Sequence, residues 1–526
     1  MRILVFHGYL LHGTGSNVYN ALLADALARA GHEVHLLCQD RQPEDVDAVG
    51  AVADWDGGVL RVRPVRPGRR VTTYRPDIGG VLPVYVADRY DGIEARTFAE
   101  LSDAEVADYV ARNVSAVREV AELVRPDLAL ANHLVVGPVV LARALAGLDV
   151  PYAVKVHGSA LEYTVKPQPE RFLGYAREGL AGARTVLVGS RHTAESLWAA
   201  MDDPALPART RLGPPGVDVV QFRPRVPAEA RAELRAVAAR LAEHALAAPP
   251  DPSASSFSRD TGEAARALGR IAADGADPDS RLVAFVGKLI VSKGVDLLVA
   301  AWPLVLAAEP GARLVVVGFG AYRAALERMI GALADGDLDE VRALAALGRG
   351  AEGGPEGALA LLPAFLDDLD AAGDRAAYVA AARGLRERIV LTGRLEHPEI
   401  APLLAVSEAQ VVPSTFPEAF GMVAVEAAAC GALPIVADHS GLGEVRTILA
   451  GAVPPAARGW LGFTIGPRAV RDLADRVVAW LEAGSEVREE TRADLVRVAR
   501  ERFSWDGVAL GVVAAARGEL SALPDP

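Results

Sequence analysis

The stretch Thr415–Gly431, TFPEAFGMVAVEAAACG, constrains this chain more than any other. Seven residues separate Glu418 from Glu426, Pro417 precedes the first glutamate and Gly421 follows it, which puts that carboxylate on a turn. Met422 to Ala429 are good helix formers, and Gly431 is the residue type that ends a helix. The spacing is close to two helical turns, so both carboxylates can look to one side. The N–H groups of Phe420, Gly421 and Met422 stand at the helix start, where unpaired donors and the dipole favour an anion. Two acceptors with an anion seat between them suit a ligand with hydroxyls at both ends and phosphate in the middle, such as a nucleotide sugar. A surface helix with two solvated glutamates has the same bare spacing, so the rest of the chain decides.

At 526 residues the chain exceeds one core, and two or three domains are expected. A formal net charge of −13 argues against nonspecific nucleic-acid binding. Cys38 and Cys430 lie far apart in apolar contexts, which predicts free buried thiols and a reducing compartment. The N-terminus MRILVFHGYLL lacks a basic leader region, and polar GTGSN follows with no small-residue cleavage site. No apolar run approaches the ~20 residues that span a bilayer. The expected location is the cytoplasm.

RILVFHGYL reads as a buried strand, Gly13–Asn17 as a polar loop, Val18–Arg29 as a helix capped by Asn17 or Ser16, and HEVHLLCQ as a second strand. This is a βαβ unit whose loop can offer N–H groups to phosphate. Val59–Arg75 concentrates arginine; it is either a docking face for an acidic acceptor or lipid heads, or a solvated loop balanced by neighbouring acids. The strand AVKVHG ends in His157 and ANHL ends in His133, and strand ends of an open α/β sheet face its ligand crevice. Pro227–Asp279 changes character, with two helices around the low-complexity APPDPSASSFS, and Gly331–Ala382 is a second segment rich in Ala, Gly and acids.

PEAFGMVAVEAAACGALPIVA followed by SGLGE resembles the donor-site motif of the retaining family 4 glycosyltransferases, which have the GT-B fold. The resemblance implies an α/β chain of two Rossmann-like domains facing across a cleft, with two mostly helical insertions. An acceptor domain would cover 1–215 and a donor domain 216–500, with insertions at about 227–279 and 331–382. A helix in 501–526 would return to the first domain, near Phe503-Ser504-Trp505. RLGPPGVDVVQFRP resembles the family's junction segment, with Pro215 where Asn is usual. The resemblance implies that Glu418 contacts the sugar and Glu426 the ribose hydroxyls, and that His157 faces the transferred sugar. Gly15 and Ser16 match the family's Gly-Gly loop, with Thr14 in place of the first glycine. Lys288 and Lys293 match the Arg and Lys that neutralise the pyrophosphate. Lys288 turns a bidentate fork into a point charge. Arg394 and Leu395 match the loop facing the base.

The implied reaction moves a sugar from a UDP-, GDP- or ADP-sugar to an acceptor hydroxyl with retention, without cofactor or metal. DDLD at 367–370 lies in an insertion on an expected helix. The acceptor is not readable; the arginine segment raises a phosphorylated or lipid-linked one, with peripheral membrane contact. A nucleotide-sugar 2-epimerase of the same fold is the rival enzyme reading. A catalytically silent nucleotide-sugar-binding protein is the rival outside enzymology.

Overall fold

Short apolar runs ending in Gly or polar residues, each followed by a helix, build two parallel sheets with helices on their faces. The computed structural model describes residues 1–13, 15–85, 93–247, 259–274, 280–354 and 357–526. The chain divides into two units, Met1–Gly216 with Phe503–Pro526, and Val217–Arg502.

In the first unit the strands are β1 (Arg2–Phe6), β2 (Glu33–Leu37), β3 (Val49–Asp56), β4 (Val59–Pro64), β5 (Val71–Arg75), β6 (Val81–Val84), β7 (Glu94–Thr97), β8 (Leu128–Asn132), β9 (Tyr152–Lys155), β10 (Thr185–Val188) and β11 (Thr210–Leu212). Nine of them form one sheet in the order β11-β10-β9-β8-β1-β2-β5-β3-β4, while β6 and β7 pair separately. Among the described residues only β3 and β4 run antiparallel. In the central β1, Leu4 and Phe6 pack into the core on one face, Ile3 and Val5 into the core on the other. That second face is completed from the far end of the chain: Trp505, Ala509 and Val512 of helix Trp505–Arg517 join Ile3, Val5, Tyr19 and Leu23.

The second unit contains β12 (Arg281–Val286), β13 (Ala312–Val317), β14 (Ile389–Gly393), β15 (Ala409–Val412), β16 (Leu433–Ala437) and β17 (Gly462–Phe463). Their order is β14-β13-β12-β15-β16-β17, every pairing parallel. Strand order therefore reverses between β12 and β15, the place where an open parallel sheet forms its ligand crevice.

Three expectations change. The first helix runs Gly15–Arg29, so Ser16 and Asn17 lie inside it and neither is its N-cap. Asn17 is buried and its side chain serves the loop instead, donating to His12 O at 2.8 Å. Thr14 and the APPDPSASSFS tract (248–258) lie outside the described residues. The arginine segment is not a loop but strands β4 and β5 with a turn between. Part of its charge is met locally: Arg61 pairs with Asp56 at 3.0 Å, Arg63 with Glu44 at 3.4 Å and Arg75 with Asp54 at 2.8 Å, while Arg66 and Arg70 donate to backbone carbonyls.

The expected boundary at Gly331 falls inside helix Arg323–Asp335, because the helical spacing continues through that glycine. Beyond it, the second segment is packed into its own unit. Tyr378 donates to Ala300 O at 2.7 Å, and Arg471 binds Asp368 and Asp374 at 2.5 and 2.9 Å. The first segment forms a helical pair, Pro227–Ala247 and Thr261–Asp274, seated against helix His397–Val406 and β14.

Candidate functional site

Five loops gather at the C-terminal ends of the second unit's strands, and glycines let their backbones touch. A Cβ on Gly318 would lie 2.0 Å from Gly287 O, and one on Gly320 2.5 Å from Leu289 O. The Gly-Phe-Gly turn after β13 is thus packed directly on the loop after β12. Across the switch point, Gly294 adopts φ +66° and a Cβ there would lie 2.0 Å from Pro413 O. Thr415 N donates to Ser292 O at 2.9 Å, tying the same two loops.

This seam brings Lys293 to Glu418. Lys293 Nζ donates to Glu418 Oε1, and the Ser414 hydroxyl donates to that oxygen at 2.7 Å. Burial alone would raise the Glu418 carboxyl, but Lys293 and Ser414 outweigh it and hold the group below its ordinary range. Glu418 N donates to Ser440 Oγ at 2.9 Å, and Gly441 N to Glu418 O at 2.9 Å. Ser440 takes φ 49°, a left-handed conformation costly for a non-glycine residue. His439 bonds Ser440 Oγ at 3.0 Å and Ser414 O at 2.7 Å. The loop bearing Glu418 is thereby fastened on both sides.

Helix Met422–Cys430 begins at Gly421, whose φ of 111° is its cap, and ends at Gly431 with φ 83°. Glycine is required at the start, because a Cβ there would meet Leu442 Cδ2 at 2.4 Å. Gly441 is equally constrained, with its Cβ position 2.6 Å from Phe420 N. Phe420, Gly421 and Met422 therefore stand at a helix N-terminus beside the Lys293–Glu418 pair. Glu426 sits inside the helix, its side chain 5% exposed, with His397 Nε2 3.3 Å from Oε1. Burial would lower the His397 pKa, but Glu426, then Glu396 and Asp218, raise it. His397 is a site residue that sequence reasoning missed; a His before Pro398 carries no spacing signal for a glutamate on another helix.

After β14, Arg394 Nε donates to Glu396 at 3.0 Å, and its guanidinium lies 5.3 Å from the Phe319 ring centroid. Leu395 is buried next to it. Lys288 is half-buried just past β12. Both inserted segments also reach these loops, which sequence reasoning missed. Glu352 Oε2 accepts from Val291 N at 2.8 Å, inside the Lys288–Lys293 loop. Arg259 binds Glu399 at 2.5 and 2.6 Å, and Glu399 in turn accepts from Glu396 N at 2.8 Å. Asp367 and Asp370 of the DDLD run pair with Arg342. Among the described residues no cluster of three His, Cys, Asp or Glu side chains could hold a metal ion.

In the first unit, Gly15 and Ser16 open the first helix, and a Cβ on Gly15 would meet nothing within 4 Å. His157 follows β9 with Nε2 2.8 Å from Asn132 Oδ1. Asn132 Nδ2 donates to Phe6 O at 3.3 Å, which orients the amide. His157 Nε2 must then carry the proton, leaving Nδ1 as an acceptor. Burial first, then His133, Lys155 and His7, holds the ring well below its ordinary pKa and neutral. His133 lies beside it, ring centroids 4.9 Å apart and the planes tilted by 50°, with φ 67° and both ring nitrogens buried without a hydrogen-bond partner.

Comparisons with known proteins bear on the family and the fold. The family description "Glycosyltransferase Family 4" matches residues 13–221 and "Glycosyl transferases group 1" matches residues 371–502. A D-inositol 3-phosphate glycosyltransferase of Segniliparus rotundus is 26% identical over 60% of this chain and 48% of its own length. Another, of Actinosynnema mirum, is 25% identical over 95% of this chain and 91% of its own. A glycogen synthase of Mycobacterium tuberculosis is 34% identical over 25% of this chain and 30% of its own. The chain thus spans about half the length of the Segniliparus relative and under a third of the glycogen synthase. Among solved structures, sucrose-phosphate synthase from Thermosynechococcus elongatus matches with TM-score 0.56 and 19% identity over 99% of both chains. Anabaena HepE, solved with UDP and glucose, matches with TM-score 0.53 and 16% identity over 99% of this chain and 100% of its own. These two likenesses concern the fold.

Proposed function

The chain belongs to the family 4 glycosyltransferases of the GT-B fold, and from that premise we propose that it moves a sugar from a nucleoside diphosphate to an acceptor hydroxyl with retention. The observation that carries this reading is the Lys293–Glu418 pair beside the Gly421 helix start, at the reversal of strand order. A cation, a fan of N–H groups and an ionised carboxylate at one strand end are what a diphosphate joined to a sugar requires.

As the glycosidic bond opens, negative charge builds on the departing diphosphate. Lys288, Lys293 and the N–H groups of Phe420, Gly421 and Met422 supply preorganised positive potential for it. That supply supports a metal-independent reaction. Glu418 orients the sugar hydroxyls. Glu426 accepts from the ribose hydroxyls, with His397 holding its carboxylate in place. Arg394 and Leu395 flank the base. His157, neutral with Nδ1 as acceptor, is the first unit's contribution to the sugar, and Gly15 and Ser16 its contribution to phosphate. A double displacement needs two carboxylates about 5 Å apart at one anomeric carbon. Glu418 and Glu426 instead serve separate ends of the donor, so the departing phosphate is the group that takes the acceptor proton on the same face.

HepE is solved with UDP and a starch synthase IV of Arabidopsis thaliana with ADP, which makes UDP- and ADP-sugars the first donors to try, with GDP-sugars beside them. The test is a thermal-shift panel of these donors without added metal, on the wild type and Glu426→Ala. A ligand bound only by the native state raises the apparent melting temperature. One nucleotide series should protect the wild type and not the variant. Absence of protection by every nucleotide would remove the donor site from this account.

A further inference from the structure

Helix His397–Val406 starts where the second unit would meet a nucleoside, and its first turn serves both proposed nucleoside contacts. His397 holds Glu426, the proposed ribose contact, with Nε2 3.3 Å from Oε1. Glu396, the N-cap, accepts from Arg394 Nε at 3.0 Å and so aims the guanidinium that lies over the Phe319 ring. Whatever fixes this turn fixes the base wall. The phosphate contacts Lys288 and Lys293 lie on a different loop, after β12.

The turn is gripped by the first inserted segment. Glu396 and Glu399 cap each other, with Glu399 accepting from Glu396 N at 2.8 Å. This reciprocal cap sets two carboxylates on one turn, and like charges three residues apart repel. Arg259 offsets that repulsion: its Nη2 donates to both oxygens of Glu399, at 2.5 and 2.6 Å. The Glu399 side chain is 12% exposed, so the pair is sheltered from the screening that weakens surface ion pairs.

A second contact from the same segment reaches the same wall. Asp260 Oδ1 accepts from Glu263 N at 2.8 Å, a cap at the start of helix Thr261–Asp274. Glu263 accepts from both terminal nitrogens of Arg323, the residue that opens the helix after the Gly-Phe-Gly turn bearing Phe319. A Cβ on Gly393, the residue before Arg394, would lie 3.1 Å from Glu263 Oε2. The segment thus touches the supports of Arg394 and of Phe319 together.

We propose that Arg259 is a positioning residue for nucleotide choice: through Glu399 and Glu396 it fixes the Arg394 guanidinium against Phe319, and so sets which base the donor site takes. The proposal rests on the glycosyltransferase reading above and deepens it, giving an inserted segment a part in donor selection. Diphosphate is common to UDP, GDP and ADP. A misaimed Arg394 costs the preferred base its contact and leaves phosphate binding as it was.

The test is isothermal titration of the full chain with UDP, GDP, ADP and inorganic pyrophosphate, on the wild type, Arg259→Ala, Arg259→Lys and Glu399→Gln. The wild type should prefer one nucleoside diphosphate. Arg259→Ala should weaken that one about tenfold, about 1.4 kcal/mol, and narrow the preference, with pyrophosphate binding unchanged. One nitrogen of Arg259 meets both carboxylate oxygens, so a lysine ammonium can replace it, and Arg259→Lys should recover most of the preference. Glu399→Gln should match Arg259→Ala, and the two changes together should cost no more than one. This variant also covers the case in which Arg259→Ala fails to fold. A wild type without preference, a preference kept in both Arg259→Ala and Glu399→Gln, or an equal loss of pyrophosphate and every nucleotide would each overturn the proposal and leave the donor site standing. A wild type that binds no nucleotide would sink the donor reading and this inference with it.

Discussion

Glu418→Gln separates the two roles given to the donor loop. In the ligand-free chain the Lys293 ammonium is held by Glu418 Oε1, and Ser414 donates to the same oxygen at 2.7 Å. The amide keeps the size and the Ser414 bond but removes the negative charge. Two unit charges 4 Å apart attract by about 4 kcal/mol at an effective dielectric of 20. The side chains are 31% and 22% exposed, so screening and the entropy of holding the lysine leave about 1 kcal/mol net. A diphosphate competing for that ammonium would no longer have to displace the pair. Nucleoside diphosphates without sugar should therefore bind about fivefold tighter to the variant. Turnover should move the other way. Losing a charge-assisted bond to a sugar hydroxyl, worth about 1.5–3 kcal/mol, predicts a fall of about 10- to 100-fold in kcat/KM. Isothermal titration with UDP, GDP and ADP, beside steady-state kinetics with the matching nucleotide sugar, reads both. If Glu418→Gln loosens nucleoside diphosphate as much as Lys293→Ala does, the carboxylate positions the lysine instead of competing for it, and the reasoning fails.

Three further changes test neighbouring parts of the same unit. Burial raises the Asp296 carboxyl to about 7, so the folded chain keeps a proton there that the unfolded chain releases near pH 4. Stability contributed by this group is thus lost as pH rises from about 4 through about 7, by at most about 4 kcal/mol. Asp296→Asn should flatten that slope and raise the melting temperature at pH 8, and an unchanged calorimetric pH profile would contradict it. Glu352→Ala removes the acceptor for Val291 N and leaves the donor of a buried residue unmet, a cost of about 1–3 kcal/mol borne by the Lys288–Lys293 loop. Nucleotide affinity should fall several-fold together with a drop of a few degrees in melting temperature; the same drop with nucleotide affinity unchanged would make the contact merely structural. Gly441→Ala would place a methyl 2.6 Å from Phe420 N and 2.7 Å from Ala419 O, backbone atoms that cannot swing aside. Thermal protection by nucleotide should vanish while far-UV circular dichroism is kept, and retained protection would show that the loop yields.

What could be read from the sequence depended on the range of the physics. Helix Met422–Cys430 was legible because its start and stop are local: Gly421 and Gly431 each adopt a backbone that glycine favours. The strands were legible because near-continuous apolar runs such as Arg281–Val286 fit a sheet buried on both faces. The partners of the two glutamates were not. Lys293 and Glu418 are 125 residues apart, and only the strand order that sets β12 beside β15 brings them together. His397 reaches Glu426 for a similar reason, from the helix after β14. The cap of the first helix was misplaced because the side chain of Asn17, a good cap by type, is drawn inward by His7 at 3.1 Å. Nothing in the composition of the inserted segments announced that Glu352 and Arg259 would brace donor-site loops.

The helix Trp505–Arg517 has a consequence for how the protein comes into being. It belongs with strands that precede the second unit, yet it leaves the ribosome only after that unit. All of Val217–Arg502 emerges before it. The unit begun first is therefore finished second, and while Val217–Arg502 is being made one wall of its core is missing. Ile3, Val5, Tyr19 and Leu23 wait with an uncovered apolar face until Trp505, Ala509 and Val512 arrive. Nascent chains stalled before Phe503 would carry a complete second unit and an open first one, the kind of surface that holdases bind and that aggregates when they are absent.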